Sequence, residues 1–153
     1  GGGTVIKGAE VLLQAVPLML KHVKNLRIVV AGGGERDILD RFSHYSPLVK
    51  VLGWVRPSDI RSLFRISDLT LLPSVWHENL PGIPELITEG KTGYLVPPGD
   101  PVALAEKVIM HFAAPAVRQR RMRQACYQQV STDLTLAQHI DGLLDIYKEV
   151  LSR

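Results

Sequence analysis

The chain has 153 residues, a length that suits one domain with a real core. Hydrophobic residues make up 46% and charged residues 22%, which excludes a disordered chain, and no apolar run approaches the roughly 20 residues a membrane helix needs. The net charge of +3 is compatible with a diphosphate ligand or an anionic membrane face, and gives no argument for nucleic acid.

Residues 1–6 read as the tail of a strand and its exit loop. Apolar residues at Val11, Leu12, Ala15, Val16, Met19 and Leu20 recur at helical spacing, so a helix is expected from Lys7 to Val23, with a bend at Pro17. Leu26 to Ala31 is a continuous β-branched run and reads as a buried parallel strand. Gly32-Gly33-Gly34 ends it, and a short helix runs from Glu35 to Tyr45. Val49 to Leu52 is a third strand closed by Gly53. Ser58 is expected to cap a helix through Ile66, with Pro57 just before it. Leu69 to Leu72 is a fourth strand, and Tyr94 to Val96 another short one. Asp100 should cap a helix that starts with Pro101, a favoured pairing. Helices follow over Pro101 to Ala113, Pro115 to Val130 and Leu134 to Leu151. Alternating strands and helices predict an α/β fold with a Rossmann-like, doubly wound parallel sheet flanked by helices. There is no internal repeat and no low-complexity tract.

Several motifs carry less than their letters promise. Gly32-Gly33-Gly34 would need a further glycine at Asp37 to be a dinucleotide fingerprint, and Val51-Leu52-Gly53 offers no acid for a ribose. These glycines read as a tight strand-to-helix turn. Gly90-Lys91-Thr92 has Glu85 where a triphosphate-binding loop needs glycine. Arg118, Arg120, Arg121 and Arg123 lack an interleaved aromatic ladder and read as a solvated helix face. His22, His44, His77, His111 and His139 have no metal-ligand spacing, so no metal site and no cofactor are expected. Cys126, the one cysteine, excludes an internal disulfide, reads as a packed thiol and fits a reducing cytoplasm. No signal-peptide pattern is visible, and the abrupt start at Gly1 leads us to expect a fragment.

Three segments point to chemistry. Lys7-Gly8 opens a helix, where backbone N–H groups favour anions and a lysine adds a full charge. Val51-Leu52-Gly53-Trp54-Val55 ends a strand with an aromatic residue. The Trp54 ring either covers the sheet end or offers a stacking face to a base. Leu71-Leu72-Pro73-Ser74-Val75-Trp76-His77-Glu78 carries an apolar strand into a turn and places a carboxylate just past it. The carboxyl edge of a parallel sheet is where ligands bind. A carboxylate there can hold sugar hydroxyls or stabilise positive charge at an anomeric carbon.

With the following Gly82-Ile83-Pro84-Glu85-Leu86-Ile87-Thr88-Glu89-Gly90-Lys91-Thr92-Gly93-Tyr94-Leu95-Val96-Pro97-Pro98-Gly99-Asp100-Pro101, this wording resembles the donor-binding half of retaining glycosyltransferases of GT-B type, the group 1 or glycosyltransferase 4 family. The resemblance covers nearly the whole chain as a single nucleotide-sugar-binding domain, residues 1–153. It implies a hexosyltransferase activity, the transfer of a sugar from a nucleoside diphosphate sugar to an acceptor hydroxyl with retained configuration. It further implies that Lys7 and the Asn79, Leu80 and Pro81 backbone bind the diphosphate, that Gly53, Trp54 and Val55 hold the base, and that Glu78 acts at the donor sugar. Glu85 reads as structural and His77 as a loop histidine. The acceptor glycan, lipid or small molecule would be held by an N-terminal domain outside these residues. The location implied is the cytoplasm, with peripheral contact at the inner membrane face left open.

Two departures from the family pattern matter. Its G-R-x-x-x-x-K-G places arginine where Gly2 stands. Its E-x7-E motif would put a second glutamate at position 86, which is Leu86. On the order of 20 residues, enough for a helix and one strand, are expected between Pro81 and Gly82. A chain break is therefore predicted there, with a Cα separation well beyond the ~3.8 Å of a trans peptide. The alternative functions are a non-catalytic nucleotide-sugar-binding module, and a sugar-nucleotide epimerase of the same shape, for which no acid/base pair is found.

Overall fold

The computed structural model describes residues 7–75 and 83–152. The chain divides into two compact units. One comprises Gly1–Pro81 with Val96–Ala113, and the other Gly82–Leu95 with Ala114–Arg153.

In the first unit, helix α1 (Ala9–His22) buries Ala9, Leu12, Leu13, Ala15, Val16 and Met19, the stripe its spacing predicts. The helix is continuous through Pro17, which sits on its exposed side, so the expected bend is not a break. Strand β1 (Ile28–Ala31) leads to α2 (Arg36–Arg41), a 3₁₀ turn (Phe42–Tyr45) and strand β2 (Val49–Gly53). β1 and β2 pair in parallel, with Ile28 opposite Val49 and Val30 opposite Val51. The register then slips by one residue so that Ala31 meets Gly53. Helix α3 (Pro57–Ile66) follows, and α5 (Pro101–Ala113) returns to pack on α1. The core joins α1, Ile28, Ile38, Phe42, Val49 and the Leu104, Ala105 and Val108 face of α5. Phe42 is fully buried, and Leu69, Leu71 and Val96 pack against the rim of this core. Glu10 of α1 accepts both guanidinium nitrogens of Arg41, at 2.7 and 3.0 Å, and ties α1 to α2.

The second unit holds α4 (Ile83–Leu86), a turn over residues 88–93, α6 (Ala116–Thr132) and α7 (Leu136–Leu151). Gly90, at φ +71°, lets the turn close. The Thr88 N–H donates to Thr92 Oγ1 at 2.9 Å, and the Gly90 N–H to the Gly93 carbonyl at 2.8 Å. Two bonds pin α6 to this segment: Cys126 Sγ to the Thr92 carbonyl at 3.0 Å, and Gln129 Nε2 to the Leu86 carbonyl at 3.0 Å. Helix α7 begins with a capping box, Thr135 and Gln138 each satisfying the other's backbone N–H.

Three expectations change. Leu69 to Leu72 pairs with no strand among the described residues, and without a ladder it is not a strand. Tyr94 to Val96 also forms no ladder. The Leu95 N–H donates instead to the Glu89 carboxylate at 2.7 Å, and strand-like pairing stops at the Glu89–Gly93 bridge. Ser58 is not the cap of α3. Arg56 occupies that position with Pro57 as the first helical residue, and the Ser58 hydroxyl donates to Asp59 at 3.3 Å. Asp100 does cap α5, its carboxylate accepting from the N–H groups of Val102 and Ala103 at 3.0 and 2.9 Å.

Candidate functional site

The start of α1 meets the end of the Leu69–Leu72 run through Gly8. Gly8 adopts φ +73°, a left-handed conformation that only glycine takes without cost, and its carbonyl accepts the Leu12 N–H at 3.0 Å. It lies so close to Pro73 that a Cβ on Gly8 would overlap the Pro73 carbonyl oxygen. The Lys7-Gly8 turn and the Pro73-Ser74 turn, 65 residues apart in numbering, are thus in van der Waals contact. Sequence reading placed both at ligand-facing ends but did not find the contact. The paired glycine and proline were the available signal.

Ser74 and Val75 are held from the other side by the Pro97-Pro98-Gly99-Asp100 turn. Gly99, at φ +77°, faces Val75, whose Cγ1 stands 4.0 Å from where a Cβ would be. A hollow of about 40 Å³ lies between Leu72, Pro73, Ser74 and Val96 to Asp100. Binding clefts for drug-sized ligands run from about 300 Å³ upward. This hollow is therefore a packing seam that positions the Pro73-Ser74 turn. Lys7 is half-buried.

Gly53, Trp54 and Val55 sit at the carboxyl end of β2. Gly53 adopts φ +67°, and its carbonyl accepts the Gly32 N–H at 2.7 Å, which joins the ends of β1 and β2. Trp54 is 73% exposed, so its ring does not seal the sheet end, and Val55 is half-buried. Gly32, at φ +124°, makes the tight exit turn expected of the glycine run. Glu78, Asn79, Leu80 and Pro81, with the expected break after Pro81, lie outside the described residues.

Elsewhere, the Cys126 thiol is pushed up from its ordinary pKa by burial, which makes it a poor nucleophile at neutral pH. The four arginines of α6 are exposed but spread around the helix: Arg118 and Arg121 share one side, Arg120 and Arg123 another. They form no single basic face. Among the described residues no group of three or more His, Cys, Asp or Glu side chains gathers at one point. No described helix is long and apolar enough to cross a membrane.

Residues 2–81 match the family model for glycosyl transferases group 1. The chain belongs to this family. It is 24% identical to spore coat protein SA of Bacillus subtilis, over 94% of this chain and 46% of that protein. It is 25% identical to the alpha-D-kanosaminyltransferase of Streptomyces kanamyceticus, over 94% of this chain and 43% of the relative. This group 1 chain therefore spans less than half the length of these two relatives. Its fold is that of the C-terminal domain of the LpcC group 1 glycosyltransferase of Francisella tularensis, at TM-score 0.74 and 19% identity, covering 86% of this chain and 82% of that one. The Anabaena HepE protein, solved in complex with UDP and glucose, superposes at TM-score 0.76 and 18% identity, over 95% of this chain and 46% of HepE. The fold is thus that of the α/β C-terminal domain of a GT-B glycosyltransferase. The alignments also run longer than this chain. With spore coat protein SA, 94% of 153 residues, about 144, spreads over 174 positions, leaving about 30 of them without a residue here. With the kanosaminyltransferase, the same share spreads over 166 positions, leaving about 22.

Proposed function

We propose that this glycosyltransferase chain binds the donor, a nucleoside diphosphate sugar, for transfer of the sugar to an acceptor hydroxyl with retained configuration. One observation carries the reading: the Gly8–Pro73 contact brings Lys7 and the start of α1 to the turn that leads into Glu78. A diphosphate at that place meets a lysine ammonium and the positive end of a 14-residue helix. Glu78, four residues past Ser74, then holds the donor sugar, with the Asn79, Leu80 and Pro81 backbone beside the diphosphate. Gly53, Trp54 and Val55 hold the base at the carboxyl end of β2, where Trp54 offers an open ring face.

Catalysis in such a site is positioning and electrostatics, with diphosphate charge stabilised as the glycosidic bond to it breaks. Lys7 and backbone N–H groups meet that charge in this reading, and no metal is needed. The sugar complexes and transferase names among the relatives support the substrate class. We place the acceptor glycan, lipid or small molecule on an N-terminal domain, so that these residues alone bind nucleotide and do not turn over. A cytoplasmic location agrees with the single thiol.

The test is calorimetric titration of this chain with UDP, GDP and ADP. One of them is expected to bind, and Lys7→Ala to weaken it about tenfold, the worth of one charge-assisted contact. No heat at millimolar nucleotide overturns the reading. Gly2 in place of the family's arginine favours a second reading, a module that binds nucleotide sugar without catalysis. Joined to an acceptor domain, such a module would bind the nucleotide and still show no transfer.

A further inference from the structure

A second open space, a groove of about 550 Å³, runs beside β2 from Gly33 at the exit of β1 to Ser46. Its volume falls within the roughly 300–1,000 Å³ of ligand clefts. Val49, Lys50 and Val51 of β2 line it, and no residue of β1 does, so it follows the strand edge that faces away from β1. Arg36, Leu39 and Asp40 of α2 line it too. A Cβ on Gly33 would meet nothing within 4 Å, so that end is open.

The strand edge along the groove is unfinished. The Leu48 carbonyl accepts the Ile28 N–H at 2.9 Å, so Leu48 faces β1. Peptide groups alternate in direction along a strand, and those of Val49 and Val51 therefore point the other way. Among the described residues no strand pairs on that side, and no bond from a turn, loop or side chain reaches their N–H groups. Backbone polar groups this close to a core are normally paired, and Val49 is only 5% exposed.

The charges around the groove select what completes it. Arg36 and Lys50 make no hydrogen bond or ion pair among the described residues, and Asp40 bridges neither. A second copy brought edge to edge would set these cations against their own kind, and an edge lysine is a common guard against such pairing. An acidic strand meets the opposite field. We propose that the groove takes an extended acidic segment of a partner protein, added to β2 as a further strand. Its main chain pairs with Val49 and Val51, an apolar side chain rests on Leu39, and its carboxylates meet Lys50 and Arg36. The groove shares no residue with the donor reading, and the proposal does not rest on that reading.

The probe is a short capped peptide that alternates valine with glutamate, titrated into the 153-residue chain and followed by nuclear magnetic resonance. The Val49 and Val51 amide signals should shift saturably, and their hydrogen exchange should slow about tenfold near saturation. An N-methylated counterpart keeps the charges and lacks the main-chain donors, so it should bind about tenfold more weakly. Lys50→Glu, a change at an exposed side chain, should weaken the glutamate peptide about fivefold and strengthen a lysine counterpart. No shift at millimolar peptide overturns the proposal, as do shifts that spare Val49 and Val51. Equal binding of the N-methylated peptide overturns it, and so does equal affinity for the glutamate and lysine peptides. Dimerisation that protects the same amides without peptide also overturns it, because a second copy then holds the edge.

Discussion

The two units of this chain are held by different physics. The first is organised around thirteen buried residues that run from Ala9 to Val108, with Phe42 and Val16 fully enclosed. In the second, Met122 is the buried hydrophobic side chain among the described residues, and α7 buries none. The second unit depends on hydrogen bonds from α6 to the 86–92 segment and on caps. Burial is worth kilocalories per side chain, whereas a net hydrogen bond is worth about one. The difference teaches that a site meant to hold charge and shape belongs on the first unit, whose frame resists local opening.

Four substitutions probe that contrast in descending order of effect. Phe42→Ala should destabilise the protein most, by about 3–5 kcal/mol, read from chemical denaturation, because it empties a fully enclosed ring site. Met122→Ala should cost about 2 kcal/mol, the low end for its type, since no cluster of buried neighbours surrounds it. Equal losses for the two would abolish the distinction between the units. Asp100→Ala removes a cap with two backbone bonds and should cost about 1 kcal/mol, with Asp100→Asn recovering most of it.

The smallest effect concerns acid. Hydrogen bonds from Arg41, and then from Gln14, hold the Glu10 carboxyl below its ordinary value of 4.5. The charged form is thus favoured in the folded chain. Its contribution is present above about pH 4.5 and is lost as pH falls through the lower folded value. Glu10→Gln should therefore flatten the stability profile below that pH and leave it nearly unchanged at pH 7, where the pair is exposed and screened. A profile identical to the parent's would show that the Arg41 pair adds nothing to the α1–α2 contact.

The legibility of the chain follows the same divide. Helices α1, α5 and α6 and strands β1 and β2 were readable because their apolar period is local and their punctuation, Asp100-Pro101 above all, is strong. The capping box of Thr135 and Gln138 is a Thr-x-x-Gln pattern that the letters carry in full. The strand expected at Leu69–Leu72 finds no ladder among the described residues, because a ladder is a property of two segments, and no period within one of them reveals whether its neighbour is there. Glu89 taking the Leu95 N–H is the same lesson at the scale of one bond.

By itself, the sequence determined the family and the α/β class. Those depend on short motifs and on periodicity, which a linear chain carries in full. Tertiary structure alone decided that Gly8 lies against Pro73, that Glu10 binds Arg41 and that α3 keeps its apolar side uncovered. Each of these is a contact, or the lack of one, between residues distant in sequence, settled by how closely backbones approach and which surfaces remain to be buried.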